Sequence, residues 1–159
     1  MVGIVDTPET ACLSSLRPIA ATLAVVVRDH EVLLVRRANP PDAGRWGFPG
    51  GKIDAGESLP AAAIRELREE TMVQADALRV LTAVDAFDHA DDGTLRRHFI
   101  LVAVLCRWIS GEPVAGDDAL EARWVPLAEL EQNLLATSFG VADVARQAAA
   151  AVQDGEGTA

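Results

Sequence analysis

The segment from Trp46 to Met72 constrains this chain more than any other. Its first half, Trp-Gly-Phe-Pro-Gly-Gly-Lys-Ile-Asp-Ala-Gly-Glu, carries Gly47, Gly50, Gly51 and Gly56 together with Pro49. Such a run follows neither the strand nor the helix period, and its missing side chains let the backbone come close to a neighbour or a ligand. Its second half opens with Ser58, a good N-cap, and Pro60, which the first turn of a helix tolerates. From Ala61 to Thr71 every residue is a good or acceptable helix former, so a helix is predicted over 58–72. Any fold that hosts this segment must set an irregular glycine loop against the start of a helix.

That helix carries an unusual charge pattern. Each residue turns the helix by about 100°, so Glu66, Glu69 and Glu70 fall on one face. Like charges at this spacing repel by a few tenths of a kcal/mol per exposed pair, with Arg65 and Arg68 nearby to offset them. Glu57, in the glycine loop, reaches the same region. Carboxylates supplemented by a backbone carbonyl, from Gly50 or Gly51, make the oxygen-only donor set that Mg²⁺ or Mn²⁺ prefers. A helix face with Arg65 paired to Glu69 is also common on protein surfaces, and the three glutamates alone would fit that reading.

The longer spacing favours a site. Gly51, then Glu57 after five residues, Arg65-Glu66-Leu67 after seven more, and Glu69-Glu70 after one would coincide by chance about 5 × 10⁻⁸ times per starting position at average residue usage. The pattern resembles the Nudix box, here Gly51 to Val73. The loop Phe48-Pro-Gly-Gly-Lys-Ile-Asp, and the chain from Arg36-Arg37 through Arg97-His98 to Trp124, are similar to the MutT branch, so the resemblance covers roughly residues 18 to 130. It implies an α/β/α sandwich around a mixed sheet, and a hydrolase that uses Mg²⁺ or Mn²⁺ to split the pyrophosphate of a nucleoside diphosphate linked to another group. It also implies roles: Glu69 and Glu70 as metal ligands, and Glu66 as a further ligand or the group that orients or deprotonates water. Arg65 would position a glutamate, and Glu57 would ligate or support the metal. MutT-like members place another acid before the last strand, which ranks Asp117 ahead of Glu121 and Asp118. Where the box usually has Gly, this chain has Met72. A left-handed Met there costs about 1 kcal/mol unless the helix ends differently.

Substrate choice is read mainly by elimination. The chain has no Tyr and no Pro between Pro60 and Pro113, so the marks of the diadenosine polyphosphate, ADP-ribose and NADH branches are missing. A (deoxy)nucleoside triphosphate therefore ranks above ADP-ribose or a nucleotide sugar. A Nudix module that senses a nucleotide without cleaving it is the rival of another class, and it would be expected to lose box carboxylates, all of which persist. Arg37, at a strand end facing the glycine loop, is a candidate phosphate clamp, and Trp46 is the tryptophan best placed to stack on a base. Trp108, Trp124, His89 and His98 read as packing or surface residues.

The remainder of the chain fits one domain. Its 159 residues carry a net charge of −10, the wrong sign for a nucleic-acid polymer or an anionic membrane. Cys12 and Cys106 are far apart with no metal-finger spacing, which suggests a reducing cytoplasm. No apolar run spans a bilayer, and the N-terminus lacks the basic start of a signal peptide. The expected organisation is a loose arm over 1–16, one domain over 17–152 and a frayed tail over 153–159. A β-hairpin is predicted over 18–37 with its turn at Asp29-His30, then strands over 77–87 and 96–108. A short strand from Glu121 and helices over 127–135 and 141–152 follow. The order implies an α/β or α+β sandwich. A homodimer is the default assembly.

Overall fold

A computed structural model describes residues 15–116 and 118–156. The β-branched run Ile19–Arg28 forms strand β1 and Glu31–Arg37 forms β2, joined by a turn in which Asp29 takes φ 54°. Short strands β3 (Trp46–Gly47) and β4 (Gly50–Lys52) interrupt the glycine segment, and helix α1 runs over Leu59–Thr71. The long pair β5 (Gln74–His89) and β6 (Leu95–Ser110) follows, then β7 (Ala119–Pro126), α2 (Leu127–Glu131) and α3 (Val141–Glu156).

The strands form one mixed sheet in the order β3-β2-β1-β6-β5, with β4 paired to β1 and β7 to β2. β1 and β6 are parallel, and the other pairings are antiparallel. Strand alternation divides the core between the two faces. Ala24 and Val26 of β1 pack with Leu33, Val104 and the α1 residues Ala63 and Leu67. Val25, one position along, faces Leu34, Leu105 and the α3 residues Val141, Val144 and Ala148. The result is the expected α/β/α sandwich, with α1 on one face and α2 and α3 on the other.

Helix α1 starts as its sequence requires. Ser58 is the N-cap, and its Oγ accepts from the Ala61 N–H at 3.3 Å. The helix ends on Met72 in the left-handed conformation, φ 63° and ψ 3°, so this side chain sits where glycine would be unstrained. Its last carbonyls are satisfied by an incoming loop: the N–H groups of Val114 and Gly116 donate to Thr71 and Glu70 at 2.9 and 2.8 Å. Gly116 has no room for a side chain, because a Cβ there would run into the Glu69 carbonyl.

Met72→Gly removes a left-handed strain of about 1–2 kcal/mol and gives back about 0.4–1 kcal/mol in unfolded-chain entropy. Because Met72 is 58% exposed, little packing is lost. The variant is expected to melt at the wild-type temperature or roughly 2–4 °C higher, with metal dependence unchanged. A clear drop in melting temperature in a thermal scan would contradict this.

Several boundaries differ from the sequence reading. β5 and β6 are longer because each extends the other's ladder, with register shifts along the way. The helix predicted over 127–135 stops at Glu131, since Asn133 takes φ 53° and its N–H folds back onto the Leu130 carbonyl. The last helix continues past Val152 to Glu156, into the segment expected to fray. Most of the arm expected over 1–16, Cys12 within it, lies outside the described residues, as do residues 157–159. Among the described residues no helix is long and apolar enough to cross a membrane.

Candidate active site

Pairing of β4 with β1 brings the glycine loop against α1. Gly51 lies opposite Thr22 and Gly50 opposite Leu23. A Cβ on Gly51 would stand 2.5 Å from the Glu66 carboxyl group, and one on Gly50 would collide with the Thr22 carbonyl. Gly50 is therefore required by close approach of backbone, whereas at Gly51 a side chain would displace the Glu66 carboxyl group, so Gly51 lets the loop sit directly on a box glutamate.

Arg65 organises the acids. Its Nε and Nη2 donate to the two oxygens of Glu57 at 2.8 and 2.9 Å, and Nη1 donates to Glu66 Oε1 at 2.8 Å and Glu69 Oε2 at 3.4 Å. Nη2 also donates to the Lys52 carbonyl at 3.1 Å, tying the loop to the helix. Hydrogen bonds from Arg65 and from the Asp54 N–H hold the Glu57 carboxyl down at about 2, and the same pairs raise the guanidinium further above its usual range. The Glu57–Arg65 fork is bidentate, the geometry in which such pairs are strongest.

Glu70 stands apart from this network. Burial pushes its carboxyl up to about 7, and the neighbouring charges of Glu66 and Asp118 act in the same direction. Arg37 and a hydrogen bond from the Gly50 backbone oppose them without prevailing. Glu70 is a half-buried carboxylate with the carboxylates of Glu66 and Asp118 near it, an oxygen-rich donor set. The residues therefore fit a hard divalent ion. Among the described residues no three acidic, histidine or cysteine side chains converge on a single point, because Glu57, Glu66 and Glu69 turn toward Arg65. Binding an ion would require Glu69, whose side chain is 60% exposed and whose bond to Arg65 is long, to exchange that contact.

A cleft of about 910 Å³ runs along the α3 side of the sheet, with Gly50 and Gly51, which adjoin the acids, among its lining residues. Its size suits a nucleotide-scale ligand. Arg37 lines it and also acts on Glu70, which places a guanidinium between cleft and acids. The apolar walls include Leu23, Phe48, Phe99, Leu101 and Phe139.

The other candidates fall in different places. Asp117 lies outside the described residues. Glu121 lies opposite Arg36 on β7 and pairs with Arg36 and Arg123 at 3.6 and 4.0 Å. The same Arg123 covers Trp46 in the α3-side core, so Glu121 is on the sheet face away from α1. Asp118, ranked last from sequence, is the acid whose charge reaches Glu70; Asn39 donates to its side chain at 3.4 Å. Trp46 is not a stacking platform: it is 6% exposed and packed in the core. Trp108 and Trp124 flank Arg28, whose guanidinium stands 5.2 and 4.0 Å from their rings. His98 is 2.8 Å from Asp85 and stacks near Phe87, whereas His89 is exposed at the cleft. Sequence reasoning missed Arg97 and Phe139, which line the cleft from distant parts of the chain.

Comparison with known proteins bears on this geometry. The NUDIX domain family model matches residues 17–145. An ADP-ribose pyrophosphatase of Methanocaldococcus jannaschii is 33% identical over 115 residues, 72% of this chain and 66% of that protein. A Mycobacterium tuberculosis protein provisionally named 8-oxo-dGTP diphosphatase 2 is 39% identical over 124 residues, 76% of this chain and 84% of that one. The crystal structure of a MutT NUDIX hydrolase from Burkholderia pseudomallei superposes with a TM-score of 0.70 at 31% identity, covering 82% of this chain and 98% of the other.

Proposed function

The chain belongs to the Nudix family and is a hydrolase of phosphoric anhydrides, and on that premise we propose that it cleaves the pyrophosphate of a nucleoside diphosphate linked to a further group, with Mg²⁺ or Mn²⁺ held by Glu66, Glu69 and Glu70. The observation that carries this reading is the placement of Glu66 and Glu70 against Gly51 and Gly50, which line a nucleotide-sized cleft.

Each residue has a definable task. When bound, the divalent ion neutralises phosphate oxygens and makes water a stronger acid. Arg37, between the cleft and Glu70, holds the incoming phosphate and draws it toward the acids. Arg65 engages Glu66 through Oε1, and Glu66 in this reading ligates the metal or takes the proton of the attacking water through Oε2. Arg65 and Glu57 together hold the glycine loop at a fixed distance from the helix. Asp118 supplies an additional carboxylate whose charge reaches Glu70.

A (deoxy)nucleoside triphosphate is the favoured substrate, supported by the missing marks of the other branches and by the 39% identity to the mycobacterial relative. The 33% identity to an ADP-ribose pyrophosphatase favours ADP-ribose as the second reading. A release assay over dNTPs, 8-oxo-dGTP, ADP-ribose, NADH, nucleotide sugars and dinucleoside polyphosphates separates them. Turnover of triphosphates in Mg²⁺, abolished by chelator, is expected. Turnover confined to ADP-ribose would establish the second reading, and no turnover of any member would contradict both.

A further inference from the structure

The loop between β6 and β7 climbs back along α1. A Cβ on Gly111 would stand 3.3 Å from the Met72 carbonyl oxygen, the Val114 N–H donates to the Thr71 carbonyl, and the Gly116 N–H donates to the Glu70 carbonyl. Each step forward along the loop thus meets a residue one step back along the helix, toward the acids. Asp118 comes two residues after Gly116, and its charge reaches Glu70. Two backbone N–H groups hold the middle of this loop, whereas side chains hold its start. Glu112 Oε1 accepts from Arg28 Nη1 at 2.6 Å, and Oε2 accepts from Trp124 Nε1 at 3.1 Å. The Arg28 guanidinium is flanked in turn by Trp108 and Trp124, and Trp108 Nε1 donates to the Gly111 carbonyl at 3.1 Å. An exposed ion pair ordinarily contributes little, and the Glu112 side chain is 69% exposed. Here both carboxylate oxygens are committed and the cation is steadied by two indole rings, so the cluster fixes where the loop begins.

We propose that Glu112, gripped by Arg28 and Trp124, is a positioning residue for the metal site: it seats the β6–β7 loop on the end of α1 and so holds Asp118 beside Glu70. The inference rests on the metal-dependent hydrolase reading and deepens it. Without Glu112 the loop is tied to the helix by backbone bonds alone, and a short segment held in that way opens locally at little cost. The Asp118 carboxylate then spends less time near Glu70, and an arriving cation meets less negative charge. Arg28 keeps Glu31 at 3.6 Å, so removing Glu112 does not leave the guanidinium without a counter-charge.

Mn²⁺ affinity, measured without substrate by loss of the free-ion electron paramagnetic resonance signal, tests this in the wild type, Glu112→Ala, Asp118→Asn and the double variant. Each single substitution should weaken binding about 10-fold, the scale on which outer-shell partners act. The double variant should bind no more than about 2-fold more weakly than Asp118→Asn, because Glu112 acts through Asp118. Glu112→Gln keeps an acceptor for Trp124 and loses the charge that Arg28 grips, so its affinity should fall between those of the wild type and Glu112→Ala. Amide exchange provides a second readout. In Glu112→Ala it should speed up about 10-fold or more at Val114 and Gly116 and stay unchanged at Leu67 within α1. Wild-type Mn²⁺ affinity in Glu112→Ala, or a fully additive loss of about 100-fold in the double variant, would overturn the proposal. Faster exchange at Leu67 to the same degree would overturn it too, since the cluster would then support the whole fold. No Mn²⁺ binding by the wild type would instead remove the metal reading, and this inference with it.

Discussion

Glu69→Gln and Glu70→Gln should each lower kcat by about 10²-fold or more while the protein stays folded. An amide keeps the shape of the side chain and removes the negative oxygen that a hard cation requires, so the loss falls on the metal site and not on packing. Stability separates this account from a structural one. Glu70 is half-buried, and its charge is disfavoured by burial and by Glu66 and Asp118. Replacing it with a neutral isostere should therefore leave the melting temperature unchanged or raise it. Glu69 is largely exposed and held only by a long contact to Arg65, so its substitution should be close to neutral for stability. Wild-type turnover in either variant, measured at saturating substrate and Mg²⁺, would mean that the reaction does not depend on these carboxylates. A large fall in melting temperature with parallel loss of activity would instead mean that they hold the helix in place.

Arg65→Ala should damage both stability and rate. One guanidinium binds Glu57 through two hydrogen bonds, Glu66 and Glu69 through another nitrogen, and the Lys52 carbonyl. Its removal leaves three carboxylates near one another without a counter-charge and frees the glycine loop from the helix. We expect a cost of about 1–3 kcal/mol in stability, on the scale of charged hydrogen bonds lost in a partly buried setting, and a fall in kcat of about 10²-fold. Arg65→Lys restores a charge without the fork that grips Glu57. It should recover part of the melting temperature and little of kcat. Full recovery of kcat by lysine would show that charge alone suffices and that the bidentate geometry is incidental.

What could be read from sequence was local, and what could not was long-range. The cap at Ser58, the tolerated Pro60, the common face of Glu66, Glu69 and Glu70 and the close approach at Gly51 all follow from spacing within one stretch of chain. Met72 was legible as a conflict, and the helix resolves it by accepting a left-handed methionine. The acid before β7 was ordered differently because its position depends on two features remote from it. One is the register shift between Arg36 and Arg37, and the other is the packing of Gly116 onto the end of α1. Strand alternation alone cannot place Asp118 toward Glu70 and Glu121 on the opposite face. Trp46 looked like a stacking residue because it adjoins the glycine loop, yet pairing of β3 with β2 turns its ring into the core. The cleft's lining includes Arg97 from β6 and Phe139 from the start of α3, which only the assembled sheet brings to one cleft.

The central claim is that the carboxylates of α1 bind a divalent cation on which turnover depends. Mn²⁺ titration of the wild type and of a Glu69→Gln/Glu70→Gln double variant, followed by loss of the free-ion electron paramagnetic resonance signal, measures that binding without reference to any substrate. The account predicts saturable binding to the wild type and binding at least about 10-fold weaker in the folded double variant. Equal Mn²⁺ affinity in the two proteins would contradict it.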